Sequence, residues 1–185
     1  MCMARMVRIT VHTEDRLSYC SSAENESSSA MFVFVYGTLK TGEPNHHWMT
    51  NDKEGLCVFV KGGKTKTSFP LIIASKYNIP FLLDVPGNGH RVRGEIYEID
   101  QKRLKYLDIL EDYPVFYSRR EELIDSDDGV ARKCWTYFLS KHKPELLRLP
   151  FLETYSSAGD HGLEYVTRYS RTLKNYNVRE DVQLS

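Results

Sequence analysis

Residues 91–139, RVRGEIYEIDQKRLKYLDILEDYPVFYSRREELIDSDDGVARKCWTYFL, decide the fold. They read as strand, helix, strand, turn, strand. Residues 91–99 form the first strand. Asp100 can cap a helix that runs to about Asp112, and Pro114 prevents much continuation. Two further strands, 117–124 and 130–139, flank Asp125-Ser126-Asp127-Asp128-Gly129, a hairpin turn. Outward from this block, residues 31–36 (MFVFVY) are an uninterrupted apolar run rich in β-formers, as suits a strand buried on both faces. Gly37-Thr38 breaks it abruptly. Residues 56–60, 69–74 and 81–85 also read as strands, and Pro86-Gly87-Asn88-Gly89 is a strong turn signal. Residues 145–149 read as one helical turn and 154–162 as loop. Many short strands with one convincing helix predict an α+β protein: a mixed, mainly antiparallel β-barrel with flanking helices. A doubly wound parallel sheet needs helices between successive strands, and these are missing.

The chain has 185 residues, enough for one domain with appendages. Lysine plus arginine is 25 and aspartate plus glutamate is 25. That neutrality argues against a polyanion binder, so no nucleic acid is expected, and against an anchor to an anionic membrane. No run of 18 apolar residues exists, so no membrane span is expected. Residues 1–30 differ from the rest and include the low-complexity stretch SSAENESSSA (21–30). They are expected to be a disordered N-terminal extension, leaving 31–169 as the domain and 170–185 as a C-terminal tail. Cys2, Cys20, Cys57 and Cys134 form no CxxC and have no histidine at zinc-ligand spacing. Free thiols in a reducing, cytoplasmic compartment are the expectation.

Several local patterns invite a function that a simpler reading explains. Gly62-Gly63-Lys64-Thr65 lacks the glycine a phosphate loop needs five residues earlier, where Val58 stands, so a two-glycine turn between strands is expected. Adjacent His46 and His47 point apart on any regular element and do not readily share an ion. Asp160-His161 has no GxSxG elbow to supply a nucleophile. No metal is expected.

Glu111 is different. On a helix over 100–112 it lies roughly 40° from Leu107 and roughly 20° from Leu104 on the helical wheel. Asp108 sits at the edge of that apolar stripe and Asp112 outside it. One carboxylate of three therefore points towards the core. Burial raises the pKa of a carboxyl, and such a group near a cavity suits general acid–base work. The alternative is a helix-end residue paired with Arg119 or Arg120. Tyr36-Gly37-Thr38-Leu39 is the second candidate: a glycine at the end of a buried strand frees backbone N–H groups and lets a ligand approach. The alternative is a plain strand-ending turn.

Residues 34–47, FVYGTLKTGEPNHH, resemble the signature of the γ-glutamylcyclotransferase-like family, and more specifically its γ-glutamylamine cyclotransferase branch. Tyr77-Asn78-Ile79-Pro80-Phe81-Leu82, Pro86-Gly87-Asn88-Gly89, Val92-Arg93-Gly94-Glu95-Ile96-Tyr97, Leu107-Asp108, Glu111, Pro114, Tyr117, Arg119 and His161-Gly162-Leu163 follow in order. The resemblance spans about 31–169. It implies the family's mixed barrel with flanking helices. It also implies a cyclotransferase that converts γ-glutamyl amines, notably γ-glutamyl-ε-lysine left by digestion of transglutaminase crosslinks, to 5-oxoproline and free amine. By position Glu111 matches the catalytic glutamate that accepts and returns a proton. Tyr36, Gly37, Thr38 and Leu39 would bind the substrate. The resemblance implies no cofactor. The expected partner is a small γ-glutamyl substrate, and a monomer is expected. A cyclotransferase acting on γ-glutamyl amino acids or glutathione, or a non-catalytic binding module with the same fold, are the alternatives.

Overall fold

The computed structural model describes residues 30–173 and 175–184. The expected extension 1–30 lies outside the described residues apart from Ala30, as do Cys2 and Cys20. The strands are β1 (Met31–Val35), β2 (Cys57–Thr65), β3 (Leu71–Ala74), β4 (Ile79–Leu82), β5 (Arg93–Ile99), β6 (Ser118–Ser126) and β7 (Ala131–Phe138). The α-helices are α1 (Gln101–Leu110) and α2 (Val178–Val182). Five strands close a barrel in the order β1-β5-β2-β6-β7, and β3-β4 form a separate two-stranded sheet. All neighbours in the barrel are antiparallel except the closing seam, where β1 runs parallel to β7 with Val33 opposite Trp135. The expected mixed barrel is therefore the observed one. No helix among the described residues is long and apolar enough to cross a membrane.

The apolar run at β1 is buried on both faces, as its composition required. Val33 and Val35 join a cluster with Leu104 and Leu107 of α1, Tyr97 and Tyr137. Phe34 points the other way, into the barrel, with Ile96, Ile124, Cys134 and Phe138. The period of 2 along a strand divides its side chains between the two cores.

Three expectations shift. The strand expected at 56–60 runs on to Thr65, so Gly62-Gly63 is not a turn. Gly63 lies mid-strand, paired with Gly94 on one side and Ser126 on the other. A Cβ there would sit 2.9 Å from Ile124 Cγ2 and 3.0 Å from the Asp125 carbonyl oxygen. The glycine is present because strands crowd at this bend of the barrel. The strand expected at 81–85 instead begins at Ile79, which pairs with Ala74. The helix ends at Leu110, two residues before Asp112.

The segment after Tyr169, expected as a tail, folds back onto the domain. Val182 is fully buried, and the Lys143 N–H donates to its carbonyl at 2.9 Å. The Leu184 N–H donates to the Lys141 carbonyl at 2.9 Å. Gln183 Nε2 reaches the Phe116 carbonyl at 3.1 Å, tying this segment to the turn that follows α1.

A single buried cation anchors α1. Arg103 is only 1 % exposed and donates to the carbonyls of Trp48 at 2.8 Å, Asn51 at 2.7 Å and Gly55 at 2.8 Å. Asp100 caps the helix by accepting from the Arg103 N–H at 2.7 Å. Together these fix the helix against the loop that follows β1.

Strands also crowd at Gly94, where a Cβ would lie 2.4 Å from the Val35 carbonyl oxygen and 2.5 Å from Phe34 Cζ. Gly94→Ala must therefore separate β1 from β5 and is expected to cost about 1–3 kcal/mol in chemical denaturation. An unchanged midpoint would contradict this packing.

Candidate active site

The end of β1 and the end of α1 meet at one cavity of about 890 Å³. Tyr36, Gly37, Thr38 and Leu39 line it, and so does Glu111. Both sequence candidates therefore face the same space.

The loop after β1 is held by its carbonyls. Gly37 O accepts from the Lys40 N–H at 3.2 Å, and Thr38 O accepts from the Asn45 N–H at 2.9 Å. His46 Nδ1 donates to the Leu39 carbonyl at 3.0 Å. Asn45 Nδ2 also donates to Thr38 Oγ1 and to the Tyr165 hydroxyl, both at 2.9 Å. With the oxygens turned back, the N–H groups of Gly37, Thr38 and Leu39 donate to no group among the described residues. Successive free N–H groups form an anion cradle. A Cβ at Gly37 would sit 3.0 Å from Pro80 Cγ, so the glycine relieves a tight contact with that ring.

Glu111 is placed by the way α1 stops. Its own N–H still bonds the Leu107 carbonyl at 2.9 Å, keeping it on the Leu104–Leu107 side of the helix. Asp112 then takes φ +51°, and the chain closes with Tyr113 N–H to Asp108 O at 2.9 Å and Asp112 N–H to Ile109 O at 3.2 Å. This pair of bonds is a Schellman termination. It sends the chain outward after Glu111 while the carboxyl stays in the cavity.

The alternative pairing of Glu111 does not occur. Arg119 is held by Asp108, at 2.6 Å through Nε and 3.1 Å through Nη2. Arg120 is held by Asp84 at 2.7 Å and Glu122 at 2.6 Å. No group among the described residues hydrogen-bonds the Glu111 carboxyl. Burial pushes its pKa up to about 7, against a smaller opposing pull from the Arg168 guanidinium. Burial also raises the phenols of Tyr36 and Tyr117, and the nearby Glu111 charge adds to both. Those rings stay neutral. The Tyr36 hydroxyl donates to the Tyr137 carbonyl at 3.0 Å, and the Tyr137 hydroxyl donates to Asp108 at 2.7 Å.

Chemically, this arrangement offers a carboxyl able to take and give a proton near neutrality beside an array of fixed N–H donors. His46 and His47 occupy a 3-10 turn, and among the described residues no cluster of histidine, cysteine, aspartate or glutamate could hold a metal. Sequence reasoning missed Asn45, Tyr137, Tyr165 and Arg168. Asn45 lies inside the quoted signature, but nothing in its spacing marks it as the residue that ties down the loop. Tyr165 and Arg168 lie on irregular chain, where no periodicity shows which way a side chain points.

The raised carboxyl links stability to pH. Its folded value of about 7 exceeds its ordinary 4.5, so folding favours the protonated form. The stability this protonation supplies is complete below pH 4.5 and is lost as pH rises through 7. Glu111→Gln is neutral throughout. It is expected to match the wild type below pH 4.5 and to exceed it above pH 7 by up to about 3 kcal/mol in urea denaturation. Equal stabilities at pH 8 would contradict the burial of an unpaired carboxyl.

Comparison with known proteins agrees with this geometry. Residues 33–157 match the family model described as gamma-glutamyl cyclotransferase, AIG2-like. The mouse protein named gamma-glutamylaminecyclotransferase is 46% identical over 146 residues, covering 75% of this chain and 98% of that protein. The human protein of the same name is 40% identical over 150 residues, covering 75% of this chain and 98% of that one. The crystal structure of a mouse AIG2-like protein superposes with a TM-score of 0.73 at 45% identity, covering 77% of this chain and 99% of that one. The chain, with its closed mixed barrel and its cavity between β1 and α1, belongs to the gamma-glutamyl cyclotransferase, AIG2-like family.

Proposed function

We propose that this protein is a γ-glutamylamine cyclotransferase, a lyase that converts γ-glutamyl amines, γ-glutamyl-ε-lysine among them, to 5-oxoproline and the free amine. The observation that carries the proposal is that one cavity is lined by a carboxyl with a pKa of about 7 and by three residues, Gly37, Thr38 and Leu39, whose backbone N–H groups have no partner among the described residues. The names of the mouse and human relatives support the choice of substrate class.

The reaction needs no added water. The substrate's α-amino group is protonated at neutral pH and must lose a proton before it can attack. The Glu111 carboxylate takes that proton. The freed nitrogen attacks the γ-carbonyl carbon, closing a five-membered ring. Negative charge develops on the carbonyl oxygen. The N–H groups of Gly37, Thr38 and Leu39 would meet this oxyanion or the glutamyl carboxylate, and because they are already fixed they need no reorganisation. The C–N bond to the amine then breaks as Glu111 returns its proton to the leaving nitrogen. The second proton shed by the attacking nitrogen ends on the leaving amine, which departs as an ammonium ion. Nucleophile and electrophile belong to one molecule, so much of the rate enhancement comes from holding the substrate bent in a near-attack shape. Tyr36 and Tyr117 line the same cavity near Glu111 as neutral rings.

We further propose that the protein acts as a monomer in the cytoplasm with no nucleic acid as partner, its activity carried by residues 31–169 together with the C-terminal segment whose Arg171 and Arg179 line the cavity. The free thiols of Cys57 and Cys134 suit a reducing compartment, and the equal counts of basic and acidic residues suit a small substrate better than a polyanion.

Incubation with γ-glutamyl-ε-lysine, γ-glutamylalanine and glutathione, followed by measurement of 5-oxoproline, tests the proposal. Release is expected from the lysine isopeptide, with kcat at least about 100-fold lower in Glu111→Gln. For the wild type, kcat/KM should rise with pH through about 7 and then level, since the base works only when ionised. No 5-oxoproline from any of the three substrates would refute the activity. Release that survives Glu111→Gln would refute the base.

A further inference from the structure

The cavity wall contains three arginines, Arg168, Arg171 and Arg179, and their situations differ. Arg179 is ion-paired with Asp112 and lies 5.1 Å from the Phe116 ring centre. Arg171 donates to the Val166 carbonyl and to the Tyr165 hydroxyl, both at 3.2 Å, and stacks 4.4 Å over the Tyr77 ring. Both cations are occupied in holding the wall together. Arg168 makes no hydrogen bond or ion pair among the described residues. It stands in a short 3-10 turn, Arg168–Ser170, and its charge is felt at Glu111. An unpartnered guanidinium on a cavity wall, near the group assigned to proton transfer, is a ready anion receptor: its fork of N–H donors matches a carboxylate in a way no ammonium does.

The reading of the reaction places the glutamyl end of the substrate at Gly37, Thr38 and Leu39. Where those N–H groups hold the glutamyl carboxylate, the substrate's one other ground-state anion is a carboxylate carried by the leaving amine. We infer that Arg168 is a specificity residue that binds a carboxylate carried by the amine portion, so that the site prefers γ-glutamyl amines whose leaving group is itself an amino acid linked through a side-chain amine. This inference rests on the proposed cyclotransferase activity. Contacts on both sides place Arg168: Tyr165 is tied to Asn45, Val166 N–H donates to the Tyr77 carbonyl at 3.0 Å, and Ser170 N–H donates to the Thr167 carbonyl at 3.0 Å. The turn carrying Arg168 is thus braced from both sides, while its side chain is left for the ligand. The contact is remote from the bond that breaks and is made equally in the ground and transition states, so it should act mainly on KM.

The matched pair γ-glutamyl-ε-lysine and γ-glutamylcadaverine tests this, because the two amines differ only in the carboxylate. The wild type is expected to favour the lysine derivative at least about tenfold in kcat/KM, as for one charge-assisted contact. In Arg168→Gln that ratio should fall to near unity, with the change carried by KM for the lysine derivative. Arg168→Lys should retain part of it, since the charge remains but the fork does not. A wild-type ratio near unity, or a ratio that Arg168→Gln leaves intact, would overturn the inference. An equal loss on both substrates leaves the ratio intact and so counts against it. Release of 5-oxoproline with a flat ratio would overturn only the inference. No release from either substrate would remove the proposed activity and the inference with it.

Discussion

The structure turns on one carboxyl group that is denied a counter-ion. Arginine is abundant around the end of α1, and a guanidinium ion-paired with Glu111 would hold its pKa in the ordinary carboxylate range, whereas the unpaired Arg168 pulls it down only in part. The helix prevents this by spending another acid. Asp108, three residues earlier, takes Arg119 in a two-pronged contact and accepts from the Tyr137 hydroxyl as well. Asp84 and Glu122 take Arg120. Asp112, one residue later, turns outward and is paired with Arg179. Three acids at positions 108–112 thus have three fates, and only the middle one remains unpaired, half-buried on the cavity wall. The burial that would be a liability in a purely structural residue becomes the source of its reactivity.

The barrel supplies the other half of the site. Closing the β1–β7 seam puts the end of β1 against the C-terminal end of α1, because Val33 and Val35 pack on the same cluster as Leu104 and Leu107. The chain leaves β1 at Tyr36 and turns its carbonyls inward to Lys40, Asn45 and His46. Its N–H groups are thereby left for a ligand. Arg103 braces the far side of the same connection through three carbonyls. The rigidity of the loop and the placement of the helix share one support, as a pre-organised site requires.

The barrel was legible in the sequence wherever local pattern and tertiary need coincide. The run 31–36 announced a doubly buried strand, and Asp125 to Gly129 announced a hairpin. The inward aim of Glu111 followed from helical geometry, and its approach to Tyr36 to Leu39 followed from the family resemblance. What stayed hidden depended on contacts far apart in the chain. Gly62-Gly63 read as a turn because nothing local reveals that two neighbouring strands press on Gly63. Nothing local marks Arg103 as an anchor, because its three acceptors belong to residues 48–55. Whether Arg119 or Asp108 would claim the other's charge, and so leave Glu111 free, could be settled only by the fold. Residues 170–184 have no clean period, yet Val182 is buried and Arg179 lines the cavity.

The central claim is that Glu111 is a desolvated, unpaired carboxyl poised near neutrality. Direct observation of its titration tests this most plainly: carbon NMR of glutamate side-chain carboxyls, with the Glu111 signal assigned by its absence in Glu111→Gln. The account predicts a midpoint at about pH 7. A midpoint near the ordinary 4.5 would mean that the carboxyl is solvated or paired, and the account of the site would be wrong.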